Sequence, residues 1–196
     1  MAELAQVPRT VTKVNLGCGS YPREGYFNVE GWPNPKVVVD LVYDLNRIPY
    51  PFEAGTVETV LMEHSLEHLE NPFAVLAEIH RMLKSGGRAI IRVPHFSRGF
   101  THADHRRGFD ITFPFYFSPK FVSYIGPEFK SIRTKLSWMA QGYHKRDVFG
   151  WPLYFALVTV SAVLSFLANL SPMLCSRVWC YWFGGFEEVE FILEKP

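Results

Sequence analysis

The chain has 196 residues, 48% of them hydrophobic and 20% charged, with a formal net charge of +1. That is enough apolar material for one well-cored domain, and too even a charge balance for general nucleic-acid binding, which needs a basic surface. Cys18, Cys175 and Cys180 show no paired spacing of a zinc site and suit a reducing, cytoplasmic setting, and residues 1–10 lack the apolar core of a signal peptide. In chain order, the apolar run 13–16 reads as a first strand that ends in Gly17-Cys18-Gly19. Residues 26–29 read as a second strand closed by Glu30, 37–43 as a β-branched third strand closed by Asp44, and 57–62 as a fourth. Apolar residues at helical spacing predict a helix over 66–83, ended by Ser85-Gly86-Gly87, then a fifth strand over 88–93. A short helix over 118–125, a sixth strand over 129–138 and a last strand over 189–193 complete the series.

Only about eight residues separate strands one and two, and strands two and three. Parallel neighbours ordinarily need a crossover of about a dozen residues or more, so the early crossover helices must be shortened or lost. One sheet face near these strands is then expected to lack its usual cover.

Four stretches in order carry a family resemblance: Asn15-Leu16-Gly17-Cys18-Gly19, Gly25-Tyr26-Phe27-Asn28-Val29-Glu30, Leu66-Glu67-His68 and Arg81-Met82-Leu83-Lys84-Ser85-Gly86-Gly87. Residues 13–95 resemble the class I S-adenosylmethionine-dependent methyltransferases, with Glu30 for the usual Asp and Ser85 for the usual Pro. The resemblance implies an α/β, Rossmann-like, mostly parallel sheet of about seven strands, its last strand antiparallel between strands five and six. It implies one methyltransferase domain over 1–196, with 139–186 inserted in it. It also implies S-adenosylmethionine as cofactor and methyl transfer to a small-molecule, lipid-linked or glycan-linked acceptor. Asn15, Gly17, Cys18 and Gly19 would lie beneath the methionine and ribose, Glu30 would take the ribose hydroxyls, Asp44 and Leu45 the adenine, and Glu63 and His64 would stand near the sulfonium. A non-catalytic partner subunit with this fold is the alternative function.

His64-Ser65-Leu66-Glu67-His68 also matches His-x-x-Glu-His, which on a helix would make a zinc hydrolase of His64, Glu67 and His68. Its place after a strand, inside the methyltransferase series, argues against that reading.

Residues 95–117 form a long loop, and long loops in compact domains are often functional. His102 or His105 paired with Asp104 is the candidate base, and Arg106 and Arg107 are candidates to hold an anionic group of the acceptor. A metal on His95, His102, Asp104 and His105 fits no known spacing, so no metal ligand is assigned.

The insertion contains no Asp, Glu, Lys, Arg or His over the 29 residues 148–176. A helix over 153–170 has Lys145 and Arg146 before it, Arg177 after it, Trp151 at one end and Trp179, Tyr181 and Trp182 at the other. These are the flanks of a membrane segment, yet a single crossing would strand the last strand away from its sheet. The expectations are therefore burial over the bare sheet face, a homodimer contact through 151–183, or an interfacial helix or lid that makes the protein peripheral to a membrane.

Overall fold

The computed structural model describes residues 7, 10–32, 34–98, 102–182 and 184–196; for Tyr143 and His144 only the backbone is described. β1 (Lys13–Leu16) is central, with β2 (Phe27–Glu30) on one side and β4 (Val57–Glu63) on the other, all parallel. β3 (Leu41–Val42) lies beyond β2, and β5 (Leu83–Pro94) lies parallel beside β4. β7 (Glu188–Glu194) runs antiparallel between β5 and β6 (Lys130–Ser137), giving the order β3-β2-β1-β4-β5-β7-β6. This is the Rossmann-like sheet the sequence predicts, with β1 where a ligand-binding strand end belongs.

Three elements differ from expectation. The third strand shrinks from 37–43 to two residues, because Val38 is 91% exposed with nothing to pair against and the Asp40 carboxylate turns back to accept from Asn28 N–H at 2.7 Å. The helix after β4 breaks into a 3-10 turn, Leu66–His68, and α1 (Pro72–Met82). Asn71 caps α1 by accepting from Phe73 and Ala74 N–H, and Pro72, which has no N–H to continue an earlier helix, occupies the first turn. α1 stops at Met82 because Leu83 is already strand, paired with Val57, so the glycine pair falls within β5. No helix forms over 118–125; a 3-10 helix at Phe113–Phe117 precedes it instead, with Phe113 packed on Phe191 and Phe117 on Phe129.

The two faces of the sheet are chemically unlike. Val75, Leu76, Ile79 and Met82 of α1 and Phe113 and Phe117 are buried on one face, against Ala89, Ile91, Val93, Val189, Phe191 and Leu193. Each such side chain contributes about 1.5–3 kcal/mol of transfer free energy. Among the described residues no helix connects β1 to β2, β2 to β3 or β3 to β4. The second face is left without those crossovers, and the chain compensates by making it polar. Arg88 pairs with Glu194 at 3.0 Å, Arg92 with both Glu190 and Glu63, and Asn15 with Asn28.

The insertion holds α2 (Gly142–Phe149), α3 (Trp151–Leu170) and a helical segment over 172–182. α3 does not cover the polar face. It lies along the outer edge of β6, where Ser165 Oγ accepts from Trp138 N–H at 3.0 Å and Asn169 bonds both backbone groups of Leu136. The stripe of Ser161, Ser165 and Asn169 is thus a packing seam that closes an open sheet edge. Of the 20 residues of α3 only Ser161 and Ala168 are buried.

Candidate functional site

Gly17 and Cys18 N–H both donate to Val29 C=O, so the chain turns sharply as β1 ends. Gly17 and Gly19 take positive φ angles, +71° and +55°. Their roles differ. A Cβ on Gly17 would stand 2.3 Å from Ser65 Oγ, whose hydroxyl donates to Gly17 C=O, so this glycine lets two loops touch. A Cβ on Gly19 would meet nothing within 4 Å, so this one leaves bare backbone facing open space.

That backbone walls a cavity of about 840 Å³. Of the predicted cofactor residues, Asn15, Gly17, Cys18, Gly19, Glu63 and His64 line it. Glu30, Asp44 and Leu45 are not among its lining residues. Glu30 shapes the loop, accepting from Gly19 N–H at 2.6 Å and from Gly31 and Trp32 N–H. Asp44 accepts from Asn46 N–H, and Leu45 is buried with its C=O bonded to the Tyr50 hydroxyl. The opposite wall comes from the polar face: Arg92, Lys135, Glu188 and Glu190. The sequence reading does not single out these four; the signal is charge on one parity of the strands, Arg88 and Arg92 of β5 and Glu188, Glu190 and Glu194 of β7, where a covered sheet would be apolar.

Glu63 is held by Arg23 at 2.6 Å and by Arg92. Burial raises the Cys18 thiol to about 11, helped by the Glu30 carboxylate, so it stays protonated. Burial by itself would lower the His64 pKa. The hydrogen bond to Glu188 and the nearby Glu67 carboxylate outweigh that and hold it near 9, so the ring is cationic at neutral pH. His64 and Gln141 are the non-glycine residues of positive φ among the described residues, 49° and 47°. Such angles cluster at functional sites.

A second cavity, of about 600 Å³, adjoins the first and shares His64, Ala140 and Gln141 with it. His102, Asp104 and His105 line it together with Glu67 and His68, but not in the expected pairing. The Asp104 carboxylate contacts His68 Nδ1 at 3.3 Å, His105 Nε2 stands 3.8 Å from Glu67, and the His102 ring lies 5.0 Å from that of His105. Arg106 and Arg107 do not line the cavity; they turn to the Glu70 carboxylate and C=O, and Arg98 and Lys145 supply the cavity's cations instead. His95 belongs to neither cavity. Both its ring nitrogens are taken, by Ser97 and Ser176 hydroxyls. The His64–His68 stretch is a strand end and a 3-10 turn, not an α-helix, so the zinc-hydrolase geometry is not formed.

Residues 26–91 match the family model described as a methyltransferase domain. Among solved structures, an S-adenosylmethionine-dependent methyltransferase from Mesorhizobium loti is similar at 10% identity and a TM-score of 0.52, over 97% of this chain and 94% of that one. The geranyl diphosphate C-methyltransferase of Streptomyces coelicolor A3(2), solved with Mg2+, geranyl diphosphate and S-adenosyl-L-homocysteine, is similar at 14% identity and a TM-score of 0.51, over 98% and 74%. The complex between the Haloferax volcanii Trm112 methyltransferase activator and a methyltransferase also matches, at 16% identity and a TM-score of 0.51, over 95% and 83%. No curated protein sequence matches the chain.

The first cavity fits S-adenosylmethionine on its own chemistry. Bare backbone at Gly19 admits a flat nucleoside, and Arg92, Lys135, Glu63 and Glu190 offer both signs of charge to an amino-acid end beside a cation. Its volume is in the range of small-molecule sites. The methyltransferase domain matched over residues 26–91, the sheet order and this cavity together give the chain the fold of the class I S-adenosylmethionine-dependent methyltransferases and a site whose chemistry suits S-adenosylmethionine.

Proposed function

We propose that the chain methylates a lipid-like or lipid-linked acceptor, held in the second cavity and met at a membrane surface. The observation that carries this is the junction of the two cavities at His64, Ala140 and Gln141, the last two lying at the root of the apolar insertion. When bound, S-adenosylmethionine supplies an electrophilic methyl group on a positively charged sulfur. The protein's own part is to hold an acceptor atom in line with that methyl, to exclude water and to receive a proton. His64, held as an imidazolium between Glu67 and Glu188, orients the junction rather than taking that proton. The imidazoles of the second cavity are the groups left to do so.

The membrane part of the reading rests on α3. It is long and apolar enough to cross a bilayer, about 30 Å, yet it is almost unburied, which a core helix of this composition would not be. Register argues against a crossing: β7, which follows α3, pairs with β5 on one side and β6 on the other. A helix fixed to the domain along Ser161, Ser165 and Asn169, with Trp151, Phe155, Phe166 and Leu170 outward, suits the plane of a bilayer interface. Trp179, Tyr181 and Trp182 are also exposed, and rings of this kind sit at headgroup level. Phe183, the end of the predicted contact 151–183, lies outside the described residues. The test is co-sedimentation with anionic lipid vesicles, for the parent and a Phe155→Glu/Phe166→Glu variant, with labelled S-adenosylmethionine supplied against lipid and aqueous extracts. Parent bound, variant released and label in the lipid fraction are expected. A parent that stays in the supernatant as a compact dimer, split by the variant, would make the same surface a homodimer contact. Label confined to the aqueous fraction would point to a small-molecule acceptor.

A further inference from the structure

Glu67 stands at the wall of the second cavity, fully buried, and neither of its carboxylate oxygens has a hydrogen-bond partner. Burying a carboxylate without hydrogen-bond donors is costly, and the His64 imidazolium faces Glu67 only at 3.6 Å, so both oxygens keep capacity for a closer cation. The nearest ring nitrogens are His64 Nδ1 at 3.6 Å and His105 Nε2 at 3.8 Å, both beyond hydrogen-bond length. His64 is turned to Glu188 by its other nitrogen, at 2.9 Å. Arg98 and Lys145, the cavity's permanent cations, are paired with Glu187.

One ligand atom from each of Glu67, His68 and His105 lies within 4.8 Å of the other two. The fold brings them together deliberately. The 3-10 turn Leu66–His68 presents two of them, and the loop carrying His105 is tied to that turn by Arg106 N–H donating to Glu67 C=O at 3.1 Å. Asp104 contacts His68 Nδ1, the carboxylate–imidazole contact that orients metal-bound histidines, leaving the other ring nitrogen for an ion.

We propose that Glu67, His68 and His105 bind one divalent transition-metal ion of the zinc class, with its open position facing the second cavity. Two imidazoles and one carboxylate favour zinc, iron or cobalt over magnesium or calcium, which prefer all-oxygen shells. Bonds of about 2.1 Å place tetrahedral ligand atoms about 3.4 Å apart. The three groups must therefore close by about an ångström, within reach of a histidine on a loop. Three protein ligands leave room for one more, the pattern of catalytic rather than structural sites. The role of the ion rests on the reading of the second cavity as the acceptor site. An acceptor hydroxyl on the open position would lose its proton more readily, to His102, whose ring lies 5.0 Å from that of His105. The oxygen then bonds the methyl carbon as the carbon–sulfur bond breaks, and the sulfur leaves neutral.

The test titrates chelator-treated full-length protein with zinc by calorimetry and with cobalt by visible absorption. One equivalent of zinc per chain is expected, with tetrahedral cobalt bands. Affinity should fall by about 100-fold or more in His105→Ala and in Glu67→Gln, since even outer partners of a metal ligand cost 10–100-fold. S-adenosylmethionine binding should persist in both variants, which shows them folded, and His80→Ala should bind zinc as the parent does. A parent that binds S-adenosylmethionine but neither metal would overturn the site, as would zinc binding undiminished in both variants. If zinc binds as expected but no lipid acceptor is methylated, the acceptor reading fails and the metal site stands.

Discussion

Asn169 holds Leu136 at both of its backbone groups, accepting from its N–H at 2.9 Å and donating to its C=O at 2.7 Å. Leu136 belongs to the outermost strand on that side of the sheet, so one side chain of α3 takes the place of a missing neighbour strand. Asn169→Ala should cost about 1–3 kcal/mol, because it leaves two backbone groups of β6 unpaired. Urea unfolding gives the loss, and hydrogen exchange at Leu136 should rise selectively.

The two glycines of the β1 turn should separate in experiment. Gly17→Ala would press on Ser65 Oγ and lower stability and cofactor affinity together. The Cβ of Gly19→Ala meets no protein atom within 4 Å, so beyond the strain of its positive φ its effect should fall on S-adenosylmethionine binding. Calorimetric titration beside thermal unfolding of each variant checks this. A Gly17→Ala/Ser65→Gly pair should recover part of the stability lost in the single variant.

His95 should make the fold sensitive to mild acid. Burial depresses its pKa to about 4, and its ring stays neutral between the Ser97 and Ser176 hydroxyls, with Ser176 donating onward to Asp110. The unfolded chain protonates this ring near pH 6.5 and the folded chain does not, so stability is full above that pH and falls as the pH drops towards 4. The loss over that window is about 3 kcal/mol. Urea unfolding at several pH values measures the slope, which His95→Gln should flatten.

Arg92 separates two carboxylates, Glu63 and Glu190, on the uncovered sheet face. Arg92→Met should destabilise by about 1–3 kcal/mol, the lower end reflecting partial exposure. Adding Glu190→Gln should restore part of the loss, a coupling that a double-mutant cycle reads directly.

The sheet was legible in the sequence because each strand has both an apolar run and a breaker, as Lys13–Leu16 does before Gly17. The third strand is shorter than the sequence predicts because Val37, Val38 and Val39 have strand chemistry but no partner within reach; propensity does not supply a neighbour. The helix after β4 is shorter than its apolar spacing predicts, because that spacing continues across Asn71-Pro72, where the backbone cannot. In the site, the glycine turn, Glu63 and His64 follow from motif position. Arg92, Lys135, Glu188 and Glu190 do not, since their meaning depends on a face that other chains would cover. The sequence shows His102, Asp104 and His105 as a cluster but not their neighbours, His68 beside Asp104 and buried Glu67 beside His105, which only the folded loop brings near.

Ser137 and Glu188 are paired neighbours in the sheet, and the whole insertion departs after one and returns before the other. The excursion hangs on a doorway one strand-spacing wide, so its length and composition impose nothing on the register of β6 and β7. A segment attached in this way is free to be exchanged as a cassette, and its anchoring surface can diversify without disturbing the sheet. The limit on that freedom lies at the threshold itself. Ala140, Gln141, Lys145 and Glu187 stand just inside the doorway and also wall the second cavity, so any replacement that alters attachment there must also reshape that cavity.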